Sequence, residues 1–104
     1  MSDYANKIEQ AATTLASAVV HEMELEDTRH VVKLNAIEHI MNSGDNKLTG
    51  KPHSFSSAEA LVHTDDIYAA HLTKLRHAAR DRILAKGRYD AAIASARLQE
   101  HSNG

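Results

Sequence analysis

The feature that most constrains this chain is a long stretch, from Asp3 to Ser43, that contains neither glycine nor proline. The stretch predicts one helix over about 3–43, with Ser2 or Asp3 as its N-cap and Gly44 just after its end. Helices of this length are typical of hairpins and coiled coils. Its apolar residues recur at amphipathic-helix spacing: Tyr4, Ile8, Ala11 or Ala12, Leu15, Val19, Met23, then Val31 or Leu34, Ile37 and Met41.

The second half of the chain predicts further helices after a loop. Two glycines and the only proline lie within residues 44–56, which predicts the connection. Ser56 and Glu59 fit a capping box, so a short helix is expected over about 57–63. Thr64 or Asp65 then caps a long helix over about 66–100, in which Gly87 predicts a kink or a close helix crossing. Its apolar stripe reads Tyr68, Leu72, Leu75, Ala79, Ile83, Ile93 and Ala96.

These elements predict an all-α fold for a single helical domain (residues 1–104), built as a long antiparallel helical hairpin with a short helix at the turn. Few turn residues and few aromatic residues argue against a β-sandwich or barrel. The absence of Cys excludes disulfides and thiolate metal sites. No apolar run approaches the ~20 residues of a membrane span, and no signal-peptide pattern is visible. We therefore expect a cytoplasmic protein without membrane contact.

Charge is distributed unevenly along the chain. Residues 1–46 hold eight acidic and three basic side chains, whereas residues 71–104 hold seven basic and three acidic ones. In a hairpin folded about the central loop, the acidic segment near residues 22–27 faces the basic segment near residues 82–88. This predicts a kink in the first helix or a polar layer between the helices, formed by Glu22, Glu26, Asp27, His30, Arg82 and Lys86.

Two helices alone leave part of each apolar stripe uncovered, because each helix has a single neighbour. Small residues on both helices suit close helix contacts: Ala11, Ala12, Ala16, Ala18, Ala91, Ala92, Ala94 and Ala96. We therefore predict a homodimer in which the helices of two copies complete a bundle.

The basic residues of the last helix support a different prediction. Arg76, Arg80 and Arg88 recur near one side of that helix, where they could neutralise phosphates. The chain lacks interleaved aromatic residues for base stacking and the spacing of a helix-turn-helix. Nucleic-acid binding is therefore the alternative to a surface of salt bridges.

Other candidate chemistry is weaker. Glu22, Glu26 and His30 share one helix face, as ligands of a metal-dependent hydrolase would, but the second half offers no matching carboxylate–histidine pair. His53 lies close to Ser54, Ser56 and Ser57, yet neighbouring loop residues rarely have the geometry of a nucleophile and its base. Helix capping explains these serines better. We therefore expect no catalytic residue, no metal site and no cofactor.

The segment LTGKPHSFSSAEALVHTDDIY, residues 48–68, and the helix that follows it carry a family resemblance. The elements concerned are Gly50-Lys51, His53-Ser54, Ser57-Ala58-Glu59 and Ala94-Ser95-Ala96-Arg97-Leu98. With these elements the chain resembles a class of small helical proteins encoded by bacteriophages and prophages. The resemblance implies a helical fold and a phage-related origin, and it implies no activity.

These observations predict a non-enzymatic, phage-related interaction protein that acts through its helical surfaces on an unidentified protein partner. The alternative is a nucleic-acid-associated accessory protein that uses the basic C-terminal helix. A metal-dependent hydrolase is the third hypothesis.

Overall fold

A computed structural model of the protein describes residues 3–103, with side chains as far as residue 101. The described chain forms three α-helices, α1 (Asp3–Asn42), α2 (Phe55–Ala60) and α3 (Asp66–Asn103), with a 3₁₀ helix, Val62–Thr64, before α3. Among the described residues, Asp45 and Pro52 form a single isolated antiparallel β-bridge in the loop between α1 and α2. The predicted all-α fold with a helical hairpin is confirmed.

Helix α1 has nearly the predicted limits. It runs without a break through residues 21–30, where a kink or a polar layer was predicted. Gly44 follows its end with a positive φ of 138°, and the Ser2 cap prediction falls outside the described residues. Gly87 lies within continuous α3, and an added Cβ there would meet no atom within 4 Å. Gly87 therefore marks neither a break in α3 nor a close crossing with another helix of the described chain.

Helix α2 begins about two residues earlier than predicted. Its N-cap is Ser54, not Ser56, and the Ser54 hydroxyl oxygen accepts a hydrogen bond from the Ser57 N–H at 3.1 Å. The helix ends at Ala60, and the expected continuation is the 3₁₀ helix. Each nearby serine offers a capping hydroxyl, and capping by Ser54 leaves Ala58 buried in the core.

The described chain forms two compact units, and α1 and α3 each contribute to both. The loop unit, Glu24–Leu75, contains the end of α1, α2, the 3₁₀ helix and the start of α3. The prediction that residues 1–104 form one helical domain stays a prediction. The loop unit has a core of Ala36, Ile37, Ala58, Val62 and Tyr68, against which Val32, Ile40 and Leu72 pack.

The terminal unit comprises the described parts of residues 1–23 and 76–104. The Tyr4 hydroxyl donates to Oε1 of Gln99 at 3.4 Å, and Glu22 binds Arg82, so the two helix segments run antiparallel. The hairpin predicted from the sequence would place Glu22 opposite residue 88, whereas Glu22 contacts Arg82, so the observed register differs by about six residues. Lys86 therefore lies beyond the acidic segment at residues 22–27 rather than opposite it.

The buried side of α1 differs in part from the predicted stripe. Ile37 is buried as predicted, but Met23 and Val31 are more than half exposed. The half-buried positions of α1 repeat every 3.5 residues on average. This repeat keeps Glu22 and Leu25 on the half-buried side of the helix and leaves Met23 on the exposed side. Ile83 of α3 is exposed in the same way. Among residues 3–25 of α1, half-buried positions recur at intervals of three and four residues, at Tyr4, Ile8, Ala11, Leu15, Ala18, Glu22 and Leu25, and Val19 beside Ala18 is half-buried as predicted.

Candidate functional site

Asp65 joins the start of α3 to the end of α1 within the loop unit. As the N-cap of α3, its Oδ2 accepts a hydrogen bond from the Tyr68 N–H at 3.0 Å. Its Oδ1 lies 3.0 Å from Nδ1 of His39, so Nδ1 carries the proton and Nε2 is the acceptor when the ring is neutral. Asp65 is 8% exposed, whereas most of the His39 side chain faces solvent. The cap was predicted, but the contact with His39 was not.

These contacts lower the pKa of Asp65 below its ordinary value of 3.8. The hydrogen bond from His39 contributes most, the Tyr68 N–H comes next, and burial opposes both. The carboxylate is therefore charged at neutral pH although it is buried. Its charge stands at the N-terminus of α3, where the helix dipole stabilises it.

A surface pocket of about 220 Å³ adjoins the Asp65–His39 pair. Ile67 forms an exposed rim, and Ala36 connects the pocket to the core of the loop unit. The pocket offers a small apolar surface with hydrogen-bonding groups on one side, which suits a compact apolar group. Its lining residues are Val32, Asn35, Ala36, His39, Asp65 and Ile67.

The loop between α1 and α2 is ordered around Asn46. The Asn46 N–H donates to the Lys51 carbonyl at 2.7 Å, and the Asn46 carbonyl accepts from the Gly50 N–H at 2.8 Å. The Asn46 Oδ1 also accepts from the Leu48 N–H at 2.9 Å. Gly50 adopts a φ of 66°, a left-handed conformation that favours glycine. The loop thus holds Leu48 with its side chain 95% exposed.

His71 is a buried histidine of α3 in the loop unit. Its Nε2 lies 2.8 Å from the carbonyl oxygen of Leu25, so Nε2 donates a hydrogen bond to α1. The same carbonyl accepts from the Thr28 hydroxyl at 3.1 Å. A polar contact therefore occupies the predicted polar stretch, but the sequence had not assigned His71 to it.

One pair from the predicted polar layer bridges the two helices. Nε of Arg82 donates to Oε1 of Glu22 at 2.6 Å. Lys86, also assigned to the layer, instead binds Asp90 one turn along its own helix at 2.6 Å. Contacts within a helix compete with contacts between helices because residues four apart are already neighbours.

The other predicted members of the layer do not bridge the helices. Glu26 lies 3.4 Å from Arg29 of the same helix. A hydrogen bond with Tyr68 and the electrostatic interaction with Tyr68 raise the pKa of Arg29 most, and the charge of Glu26 comes next. Asp27 and His30 are exposed, and their side chains contact no polar group among the described residues. The predicted layer is thus reduced to Glu22 and Arg82.

The three arginines assigned to nucleic-acid contact are exposed. Among the described residues, Arg76 and Arg88 have no ion-pair partner, and Arg80 lies 3.7 Å from the carboxylate of Asp81. At 3.6 residues per turn, Arg76 and Arg88 are about 120° apart around α3. Arg76 and Arg80 are therefore neighbours, while Arg88 lies on another side.

An exposed strip runs along α1 in the loop unit, with members at alternating intervals of three and four residues. Half of its members are apolar and half are acidic, and its acids have no ion-pair partner within the described chain. Exposed apolar patches of this kind are typical of interaction surfaces. We call it the α1 strip, and it comprises Glu24, Asp27, Val31, Leu34, Glu38 and Met41.

The structure brings His53 and Ser57 together, which the sequence analysis did not expect. Nδ1 of His53 lies 3.0 Å from Oγ of Ser57, and the Ser57 hydroxyl is also 3.1 Å from the Ser54 carbonyl. A nucleophile–base pair is normally oriented by a third group. None of the described residues bonds the other ring nitrogen of His53. The contact fastens the loop to the first turn of α2.

Glu22, Glu26 and His30, the candidate metal ligands, do not form a metal-binding group. Glu22 and Glu26 bind arginines, and His30 is exposed. Residues 3–101 contain no group of three or more His, Asp or Glu side chains that could hold a metal ion. No helix among the described residues combines the length and the apolar composition that a membrane span requires.

Sequence reasoning missed His39, His71 and the pocket. The signal available for His39 was its place near the end of α1, because a hairpin brings the residues on either side of its loop together. His71 carried no comparable signal, since its partner is a backbone carbonyl.

The chain matches no protein-family model, no curated protein and no solved structure. The candidate site therefore rests on the residues and the geometry of this chain.

Proposed function

We propose that this protein is a non-enzymatic interaction protein that acts through its helical surfaces, and that its first partner is a second copy of itself. The observation that carries the proposal is the exposed apolar surface of the loop unit. Burying such surface is favourable by about 25 cal/mol per Å². The residues concerned are Val31, Leu34, Met41, Leu48, Phe55, Leu61 and Ile67.

The modest core supports this proposal. No large side chain in the described chain is fully buried, and the buried core of the loop unit consists mainly of small residues with Ile37 and Tyr68. Chains of this length bury a limited fraction of their surface when alone. A second copy supplies the missing apolar contacts, and a twofold dimer would use the same patch on both copies.

Charge on the loop unit also favours a second copy. Glu38 and Asp27 on the α1 strip have no ion-pair partner among the described residues, and neither do Lys47 and Lys51 on the loop. Exposed charges of both signs on one unit allow a second copy to pair with it, because the acids of one copy can face the lysines of the other.

We further propose that α1 and α3 pack as a coiled coil. In the terminal unit, less exposed residues of α3 recur at alternating intervals of four and three residues, which is the repeat of a coiled-coil seam. Alanines fill most of these positions and allow close approach of the helices. The positions are Ala78, Arg82, Ala85, Tyr89, Ala92 and Ala96, and the neighbours Ala79 and Ile93 are half-buried at the edge of this seam.

Sedimentation velocity over a concentration series tests self-association. We expect a dimer of about twice the 11.4 kDa chain mass. Val31→Glu should shift it to monomer, because the new carboxylate lies beside Asp27 and would be desolvated in an apolar contact. Val31 is 56% exposed, so the substitution should leave helical circular dichroism unchanged.

The matched control is Gln10→Glu, which adds the same carboxylate to an exposed position of α1 in the terminal unit. It should leave the dimer intact. If the unsubstituted protein is monomeric at every concentration, the proposal is overturned. If Val31→Glu and the unsubstituted protein sediment with equal masses, the α1 strip is not part of the dimer contact.

A second function, nucleic-acid association, is favoured by the unpaired arginines of α3. Glu22 of α1 engages Arg82, whereas Arg76 and Arg88 have no ion-pair partner among the described residues. These side chains therefore remain available to phosphates. The phage-related origin stays a prediction of the sequence resemblance.

Fluorescence anisotropy of labelled single- and double-stranded DNA tests this second function. If Arg76, Arg80 and Arg88 each contact a phosphate of duplex DNA, affinity should fall about fortyfold between about 50 and 200 mM salt. Reversing the three charges to Glu should abolish binding, whereas reversing Lys47 and Lys51 should not. Absence of binding at low salt would eliminate this function.

A further inference from the structure

The most exposed large apolar side chain on the described part of the chain belongs to Leu48. It stands between Lys47 and Thr49 on the loop that joins α1 to α2. Burying an exposed leucine side chain in an apolar site is favourable, because it removes apolar surface from water. Leu48 can therefore serve as an anchor in an apolar site on another surface.

The loop fixes the position of Leu48 without using its side chain. Its backbone N–H donates to the Asn46 side chain, and the loop closes through the Asn46–Lys51 and Asn46–Gly50 backbone hydrogen bonds. Little conformational entropy remains to be lost when an ordered loop of this kind binds, so its side chain can act as an anchor.

The pocket beside Asp65 has the size and lining for such an anchor. A protein cavity of about 150 Å³ accepts benzene, so the 220 Å³ here can take the four-carbon side chain of leucine. Val32, Ala36 and Ile67 supply apolar contacts. Nothing in the described chain fills this pocket, and Ile67 remains 73% exposed at its rim.

Within the described chain, the unpaired basic side chains of the loop and the unpaired acidic side chains next to pocket-lining residues have opposite charge. Asp45 is an acidic residue of the loop, and Lys33 beside Val32 is paired with Glu59 at 3.7 Å. Lys47 and Lys51 flank the Leu48 tip, while Glu38 and Asp66 adjoin pocket-lining residues in sequence. None of these four side chains has an ion-pair partner among residues 3–101. A loop that brings its leucine to the pocket of another copy would thus bring its lysines towards acids.

We propose that the Leu48 side chain of each copy occupies the pocket at Val32, Ala36 and Ile67 of a second copy, with Lys47 and Lys51 facing Glu38 and Asp66. The exchange is reciprocal, so both contacts form in one twofold dimer. This inference rests on the proposed self-association and names the contact that produces it.

Disulfide trapping tests the contact directly, because the chain contains no Cys and introduced thiols are unambiguous. Leu48→Cys protein is mixed with isotopically labelled Ile67→Cys protein and oxidised. A disulfide requires Cα atoms within about 7 Å. We expect a cross-linked species whose mass combines one labelled and one unlabelled chain.

The matched control replaces Leu48→Cys with Leu98→Cys, an exposed leucine of α3 in the terminal unit. This control should give no mixed cross-link with Ile67→Cys. Equal cross-linking in the two mixtures, or none in either, would overturn the inference.

Sedimentation separates failure of this contact from failure of self-association. Leu48→Ser should weaken the dimer at least about tenfold, whereas Leu98→Ser should leave its dissociation constant unchanged. A dimer equally stable with Leu48→Ser would overturn this contact and leave self-association standing. A monomeric unsubstituted protein would overturn both.

Discussion

The buried carboxylate of Asp65 accepts a hydrogen bond from Nδ1 of His39 at one oxygen and another from the Tyr68 N–H at the other oxygen. One side chain therefore caps α3 and fastens its start to the end of α1. This arrangement also forms one side of the pocket, so the stability of the loop unit and the shape of its candidate contact depend on the same residue.

Asp65→Ala should lower the free energy of unfolding by about 1–3 kcal/mol, because it removes both the cap and the contact with His39. Urea denaturation followed by circular dichroism measures the change. Asp81→Ala is the control, since Asp81 is exposed on the same helix and its 3.7 Å contact with Arg80 lies at the surface, and it should cost only a few tenths of a kcal/mol. Equal losses from the two variants would contradict the assignment.

The lowered pKa of Asp65 predicts a pH dependence of stability. Because the folded-state pKa lies below the unfolded-state value, the ionised carboxylate stabilises the fold above the ordinary value of 3.8, and this contribution is lost as the pH falls through the lowered folded-state pKa. Asp65→Asn cannot titrate. The stability difference between unsubstituted protein and Asp65→Asn should therefore be constant above about pH 5 and shrink as the pH falls below 3.8 through the lowered folded-state pKa. A difference that stays constant as the pH falls would exclude Asp65 as the group responsible.

His71→Leu should lower the free energy of unfolding by about 0.5–1.5 kcal/mol, the net value of one buried hydrogen bond. The loss stays moderate because the Leu25 carbonyl keeps its contact with the Thr28 hydroxyl. His77→Leu places the same change on an exposed position of α3 and should have little effect. Denaturation curves of both variants provide the comparison, and a neutral His71→Leu would show that the hydrogen bond adds no stability.

The Glu22–Arg82 and Lys86–Asp90 pairs have the same 2.6 Å separation in different settings, which permits a matched comparison. The first joins two helices and is half-buried, and the second lies exposed on one helix. Double-mutant cycles to Ala should give a coupling of about 0.5–1 kcal/mol for Glu22–Arg82 and about 0.3–0.5 kcal/mol for Lys86–Asp90, since solvent screens both. A larger coupling for the exposed pair would contradict this order.

The long helices could be predicted because their signals are local. The absence of Gly and Pro from Asp3 to Ser43, followed by Gly44, placed the end of α1 within about one residue of Asn42. Choices between equivalent local signals could not be settled in the same way. Ser54, Ser56 and Ser57 can each cap a helix, and only the packing of Ala58 in the core distinguishes them.

The contacts between helices were harder to predict because they depend on register and on competing partners. A difference of about six residues in register placed Lys86 beyond the acidic segment at residues 22–27, and Lys86 binds Asp90 of its own helix instead. The His39–Asp65 contact spans the loop and left no spacing signal in the sequence. The pocket next to it results from the packing of α1 against the start of α3, which hydrophobic periodicity alone does not describe.

Gly87→Ala should raise the free energy of unfolding by about 0.5–1 kcal/mol. Gly87 lies inside α3, an added Cβ would have no atom within 4 Å, and alanine loses less backbone entropy in a helix than glycine does. Gly50→Ala is the opposite case, because its φ of 66° strains any residue with a Cβ by about 1 kcal/mol. Urea denaturation should therefore show one alanine substitution stabilising the protein and the other destabilising it. A destabilising Gly87→Ala would mean that another chain packs against α3 at Gly87, and sedimentation of that variant would reveal the lost association.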